Sequence, residues 1–204
     1  MRSMFWRVRA LIVTAVLVVA GASLSGCGVN NIPTFEEQAK AAWSEVQNQY
    51  KRRADLIPNL VETVKGFAAQ ESKVLKEVVE ARAKATQVQL PADILNNPDA
   101  MQKFQDAQNQ LSGALGRLLV ITENYPDLKS NQNFLTLQQQ LEGTENRVSR
   151  SRQEYIEAVR AYNTEIKTIP GRWWKSLLYP DARAMVSFTA SEQDQQVPKV
   201  EFQQ

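Results

Sequence analysis

Apolar side chains recur along the middle of the chain at spacings of three, four or seven residues, which is the pattern of one face of an amphipathic helix. Thr34 and Glu37 have the spacing of a capping box, so a first helix is predicted to begin at Thr34. Pro58 lacks an amide donor and predicts a kink or a short break in this helix. The apolar stripe comprises Phe35, Ala39, Trp43, Val46, Tyr50, Ile57, Leu60, Val64, Phe67, Val74 and Val78.

Two further helices are predicted after this stripe. Asn97 and Pro98 are suited to the N-cap and first position of a helix that ends near Tyr125. A third helix is predicted from about Asn131 to Lys167. Short connections favour antiparallel neighbours, so the predicted fold is an all-α, up-and-down antiparallel bundle of three long helices, or four if Pro58 splits the first.

The N-terminal residues form a membrane-targeting segment. Three arginines precede Ala10 to Leu24, an uncharged run of 15 residues. A spanning helix needs about 20 apolar residues, whereas the apolar region of a signal peptide needs about 7 to 15. Leu24-Ser25-Gly26-Cys27 resembles a bacterial lipobox, which implies that Cys27 is acylated and becomes the first mature residue. The alternative is an uncleaved signal anchor; both place the domain on the extracytoplasmic side.

Composition argues against catalysis and nucleic-acid binding. The chain has no histidine and one cysteine, and we find no glycine-rich phosphate loop or metal-ligand spacing, so no catalytic residue, cofactor or metal is predicted. The formal charge is +2, but three arginines precede Cys27. The remainder has 21 basic and 22 acidic residues. A nucleic-acid partner requires a basic face on the folded domain, and none is predicted.

One long run of residues resembles a known family. The chain from Tyr50 to Ala68 reads YKRRADLIPNLVETVKGFA. This run resembles the signature of the LemA family of bacterial membrane-associated proteins, and the resemblance extends to ENYPDLK from Glu123 and PKVEF from Pro198. It implies a membrane-attached helical bundle with no established catalytic activity. Many members look as if they use an uncleaved membrane helix, so the lipobox departs from the family pattern.

Two features of the chain each admit a structural and a functional interpretation. In the structural interpretation of the signature, Pro58 sets a bend, and Arg52, Arg53 and Asp55 pair with nearby charges. In the functional interpretation, the bend presents Arg52, Arg53 and Asn59 to a partner. Trp173 and Trp174 lie between arginine and lysine. They suit a membrane interface, and they equally suit an aromatic cap on the end of the bundle.

Three functions are compatible with these features. The leading function is a non-catalytic scaffold or interaction protein of the bacterial cell envelope, anchored to the membrane and acting through protein partners. A lipid-binding or membrane-remodelling module is the alternative, and an envelope hydrolase or its regulatory subunit is a third hypothesis. The chain is predicted to have five parts. They are a signal peptide or anchor (1–26), a tether (27–33), the bundle (34–169), a short aromatic amphipathic segment (170–186) and a polar tail (187–204).

Overall fold

The computed structural model describes residues 28–88 and 91–189, together with Thr14. The predicted leader 1–26, Cys27 and the tail from residue 190 onward lie outside the described residues. Every regular element in the described part is helical, which confirms the predicted all-α class. The α-helices are α1 (Asn31–Phe67), α2 (Ser72–Gln87), α3 (Pro98–Thr122), α4 (Pro126–Lys129), α5 (Gln132–Glu165) and α6 (Gly171–Leu178).

Four of these helices form an up-and-down bundle, as predicted. α1 and α5 run antiparallel along their whole lengths, and Asn31 Nδ2 donates to Glu165 Oε1 at 3.3 Å at one end. α2 folds back against the second half of α1, where Arg82 Nε donates to the Ala54 carbonyl at 2.8 Å. α3 runs antiparallel to α2, and therefore in the same direction as α1.

The first chain reversal lies after Phe67, within the stretch that the apolar stripe assigned to one helix. α1 is continuous through Pro58, so of the two predicted alternatives the short break is not present. The chain instead turns at a short 3-10 helix, Ala69–Glu71. Ala68 is fully buried at this turn, and its amide donates to the Val64 carbonyl at 2.8 Å. The later part of the apolar stripe belongs to α2, because a helix that turns back can place its own apolar face on the same core.

The helix starts were predicted with mixed success. α1 begins at Asn31, so the N-cap predicted at Thr34 is wrong. The Thr34 amide already donates to the Asn30 carbonyl at 3.1 Å, within the first turn of the helix. Pro33 is tolerated because the first turn of a helix needs no amide donor from it. The N-cap predicted at Asn97 is confirmed, since its side chain accepts from an amide of the first turn of α3. α5 begins at Gln132, close to the predicted start, and Asn131 is its N-cap, accepting from two amides.

The core consists of two apolar clusters separated by a polar layer. The cluster near the N-terminal end of α1 is rich in aromatic rings, including Trp43, Phe104 and Tyr155. The cluster near the Ala68 turn is mainly aliphatic. Between them lie the buried side chains of Arg53 and Gln108. The bundle therefore has an aromatic end, which includes residue 28 and α6, and an aliphatic end at the first reversal.

After α6 the chain returns along the bundle as an extended segment, residues 182–189, here called the strap. Met185 and Phe188 of the strap are buried in the aromatic cluster. Asn163 holds the strap through two hydrogen bonds of 2.8 Å to the backbone of Met185. The polar tail was predicted to begin at Ser187; residues 187–189 are the last part of the strap, and Phe188 is buried in the aromatic cluster.

Candidate functional site

The first candidate site is the polar layer around Arg53. Its guanidinium donates to Ser112 Oγ at 2.7 Å, to Glu145 Oε1 at 2.8 Å, and to both the carbonyl and Oε1 of Gln108. It also lies over the ring of Tyr50, 5.0 Å from the centroid. Because one planar cation joins α1, α3 and α5, this layer fixes the register of three helices.

Only part of the predicted partner surface is at the surface. Arg53 is 1% exposed, so its guanidinium is committed to the interior and cannot reach a partner. Arg52 and Asn59 are both exposed on the outer face of α1. The sequence held the signal for this difference, because Arg53 follows Tyr50 by three residues and precedes Ile57 by four. That spacing puts Arg53 on the apolar stripe.

The second candidate site lies at the aromatic end, where residue 28 meets the start of α6. Gly28 has a φ of +90°, and a Cβ atom there would lie 3.6 Å from Pro170 Cγ. The Ile169-Pro170 peptide bond, just before the start of α6, is cis. The predicted anchoring residue, Cys27, is the next residue toward the N-terminus. Gly28, the residue that follows the predicted anchoring residue, therefore lies beside the start of α6.

The two tryptophans of α6 face in different directions. Trp174 packs against the aromatic cluster, and its Nε1 is buried with no hydrogen-bond partner in the described part of the chain. Trp173 is 62% exposed. Leu177 lies one turn further along the same face and is 73% exposed, and Ile169, just before the helix, is 63% exposed. One tryptophan caps the bundle, and the other belongs to an exposed apolar patch.

A basic cavity adjoins this apolar patch. It has a volume of about 560 Å³ and is lined by Ile166, Lys167, Arg172, Lys175, Ser176 and Pro180. Within the described ranges, none of its three cations has an ion pair with a carboxylate. The cavity thus combines unneutralised positive charge with a hydroxyl, which is the donor set that suits a phosphate or another anion.

The turn into α6 depends on Gly171. A Cβ atom at this position would lie 2.2 Å from the carbonyl oxygen of Glu165, a distance at which the backbone has to move. Gly171 is buried, and the amide of Arg172 donates to the Thr168 carbonyl at 2.7 Å. Glycine is required by this close approach, which fixes the position of α6 against the end of α5.

The buried titratable groups serve packing. Burial raises the pKa of the Tyr50 and Tyr155 hydroxyls above the ordinary value, and Tyr155 donates to the Val186 carbonyl at 2.7 Å. A surface cavity between α2 and α3 contains Glu77 and Asp106. Glu77 is paired there with Arg117 at 3.3 Å. Among residues 28–88 and 91–189, no group of three histidine, cysteine or acidic side chains is arranged to hold a metal.

Comparisons with known proteins give one family and a small set of relatives. The model of the LemA family matches residues 42–202. Two proteins of Paramagnetospirillum magneticum, magnetosome proteins MamQ 1 and MamQ 2, are each 26% identical over 84% of this chain and 68% of their own length. Magnetosome protein MamQ of Magnetospirillum gryphiswaldense is 25% identical over 69% of this chain and 58% of its own. No helix in the described part has the length and hydropathy to cross a membrane.

Proposed function

The chain belongs to the LemA family, and from this premise we propose that it is a non-catalytic, membrane-anchored protein of the bacterial cell envelope that acts as a scaffold or interaction module. The anchor is the N-terminal segment, through acylation of Cys27 or through an uncleaved leader. The observation that carries the proposal is the position of residue 28, because it lies at one end of a long bundle and leaves the other end free.

The dimensions of the bundle suit this role. α1 has 37 residues, and at about 1.5 Å per residue it extends roughly 55 Å from the anchored end. The Arg53 layer links α1, α3 and α5 near the middle of this length, so three of the long helices are tied together there. A rigid rod fixed at one end holds its outer helix faces at a constant height above a membrane.

The partner surface that we propose lies on the outer face of α1. Arg52, Asp55 and Asn59 are exposed and follow one another at spacings of three and four residues, so they lie on one face of the helix. Neither Arg52 nor Asp55 has an ion pair within the residues described. Their side chains are therefore available to hydrogen-bond and pair with another protein.

Site-specific crosslinking in intact cells tests the scaffold role. A photo-crosslinking amino acid replaces Asn59 on α1 or, as a matched control, the exposed Gln139 on α5. We expect a discrete crosslinked product in the membrane fraction from position 59 alone, and its loss on Arg52→Glu. Equal products from both positions, or none from position 59, would contradict the α1 surface. Recovery of the chain outside the membrane fraction would contradict the anchor itself.

A further inference from the structure

We propose that α6 is a second membrane contact, in which the basic cavity binds the phosphate of anionic lipid headgroups and the apolar patch of Ile169, Trp173 and Leu177 enters the interface. This inference rests on the proposed function in one respect, because the N-terminal anchor brings this end of the bundle to a bilayer. It adds a binding surface and a ligand chemistry that anchoring alone does not require.

The charge around α6 favours a membrane over a protein core as the occupant. Residues 167–183 contain four basic side chains and one acidic side chain, Asp181. The other residues after position 27 carry 17 basic and 21 acidic side chains. Positive charge is therefore concentrated at the end where the anchor begins. A cationic surface of this kind is attracted to anionic lipids, and each lysine or arginine near the bilayer raises the affinity by about fivefold.

The apolar side chains are arranged as an interfacial helix requires. Trp173 and Leu177 are on one exposed face of α6, and Arg172 and Ser176 are one position away on the adjacent face that lines the cavity. Tryptophan prefers the headgroup level of a bilayer, where its ring is partly buried. A short helix can thus place its aliphatic tips below the headgroups and its cations beside the phosphates.

The packing of α6 keeps these groups pointing outward. Trp174 holds the inner face of the helix, next to the face that carries Trp173 and Leu177, against the aromatic cluster. Gly171 fixes the turn that leads into it, since the carbonyl of Glu165 occupies the space of a side chain. The exposed patch is therefore held by the bundle in the structure, without a bilayer to induce it, and its apolar area is left uncovered in the described part of the chain.

Fluorescent labels on the full chain test this contact. Cys27→Ser removes the native thiol and leaves the leader in place, and Leu177→Cys or Val120→Cys then carries an environment-sensitive dye. Val120 is the matched control, because it is an apolar side chain that is 70% exposed at the far end of the bundle. The labelled chains are reconstituted into nanodiscs of phosphatidylcholine alone or of equal parts phosphatidylcholine and phosphatidylglycerol.

On the anionic discs, we expect the emission of the dye at position 177 to shift to the blue and its quenching by aqueous iodide to decrease. The dye at position 120 should remain exposed to water. Neutralising the cavity by Lys167→Gln, Arg172→Gln and Lys175→Gln should lower the docked-to-undocked ratio about fivefold per cation. A circular-dichroism spectrum with unchanged helical content confirms that the variant is folded.

Three results would overturn the proposal. If the dye at position 177 shows the emission of a water-exposed dye on both kinds of disc, α6 does not dock. The same shift on both discs, unaffected by the charge substitutions, would exclude the anionic headgroup as the ligand. Displacement by inorganic phosphate at constant ionic strength would assign the cavity to a soluble anion. Failure of the unlabelled wild-type chain, with Cys27 intact, to float with the discs would instead contradict the membrane anchor of the proposed function.

Discussion

Arg53 shows how a single residue organises the bundle. Its side chain is almost fully buried, and Glu145 balances its charge, while Gln108 and Ser112 accept hydrogen bonds from the same guanidinium. Its Nε has no partner in the described part of the chain. A buried cation with fixed acceptors tolerates few alternative arrangements, because moving any one helix leaves a polar group without its partner. The residue therefore contributes specificity of register as well as stability.

Replacing this cation should destabilise the fold strongly. Arg53→Ala leaves a cavity and removes the donor of Gln108 and Ser112, so we expect the free energy of unfolding to fall by about 3 kcal/mol. Arg53→Lys should recover only part of this loss, since an ammonium group cannot reproduce the planar fork. Urea unfolding measures both. The exposed neighbour is the control: equal losses in Arg52→Ala and Arg53→Ala would contradict the buried network.

Two glycines should respond to alanine in opposite directions. Gly171→Ala forces a Cβ atom against the Glu165 carbonyl and should lower the free energy of unfolding by about 1–3 kcal/mol. Gly116 is exposed in the interior of α3, and a Cβ atom there would meet nothing within 4 Å. Gly116→Ala should therefore raise the free energy of unfolding by about 0.5–1 kcal/mol. Thermal unfolding that ranks the variants the other way would refute the tight turn.

At the scale of elements, the strap is an integral part of the aromatic end. Phe188 lies 5.4 Å from the ring of Tyr155 and 6.0 Å from that of Trp43, and the guanidinium of Arg152 lies 4.7 Å above it. α2 fills the space beside α1 only in the aliphatic half of the bundle. The strap supplies apolar side chains in the other half, which explains why a segment without helical periodicity is buried.

Removing the aromatic anchor of the strap should be costly. Phe188→Ala should lower the free energy of unfolding by about 3 kcal/mol, because it empties a site enclosed by two rings. Limited proteolysis should then cut near the strap first, as a freed segment is accessible to protease. Thr189→Ala, one residue on and exposed, serves as the control. Wild-type stability in Phe188→Ala would mean that the strap does not belong to the core.

The strap also makes stability sensitive to alkaline pH. Burial raises the pKa of Tyr155, so the folded state keeps this proton at a pH where the unfolded chain, with a pKa near 10, loses it. Stability should be intact below about pH 10 and should fall as pH rises above that value. Urea unfolding across this range measures how steeply the free energy of unfolding falls with pH. Tyr155→Phe should make this fall shallower, and an unchanged dependence on pH would exclude Tyr155 as the cause.

The sequence predicts the elements better than it predicts how they connect. Periodicity locates α3 and α5, and Asn97 marks the start of α3, because those signals are local. The turn at Ala68 has no proline or left-handed residue to mark it, and only tertiary packing shows that α2 reverses. Phe188 was missed because a lone aromatic residue in a polar stretch has no period. Arg53 lies on the apolar stripe in the sequence, but the sequence alone left open whether its charge pairs within the fold or faces a partner.

At the scale of the whole molecule, the two ends of the bundle differ in composition. The aliphatic end contains the first reversal and α4, whereas the aromatic end contains residue 28, α6 and the strap. Residue 28 and the basic cavity both lie at the aromatic end. This polarity is the structural basis for the proposal that the bundle stands on a membrane and presents the outer face of α1 to a partner.

The anchor is tested most directly by the intact mass of the protein extracted from membranes, measured beside a Cys27→Ser variant. We expect a chain in the membrane fraction with the mass of residues 27–204 plus acyl chains, and loss of that species in the variant. A full-length, unmodified mass in the membranes for both would replace the lipid with a signal anchor. An unmodified chain recovered from the soluble fraction in both cases would contradict membrane anchoring altogether.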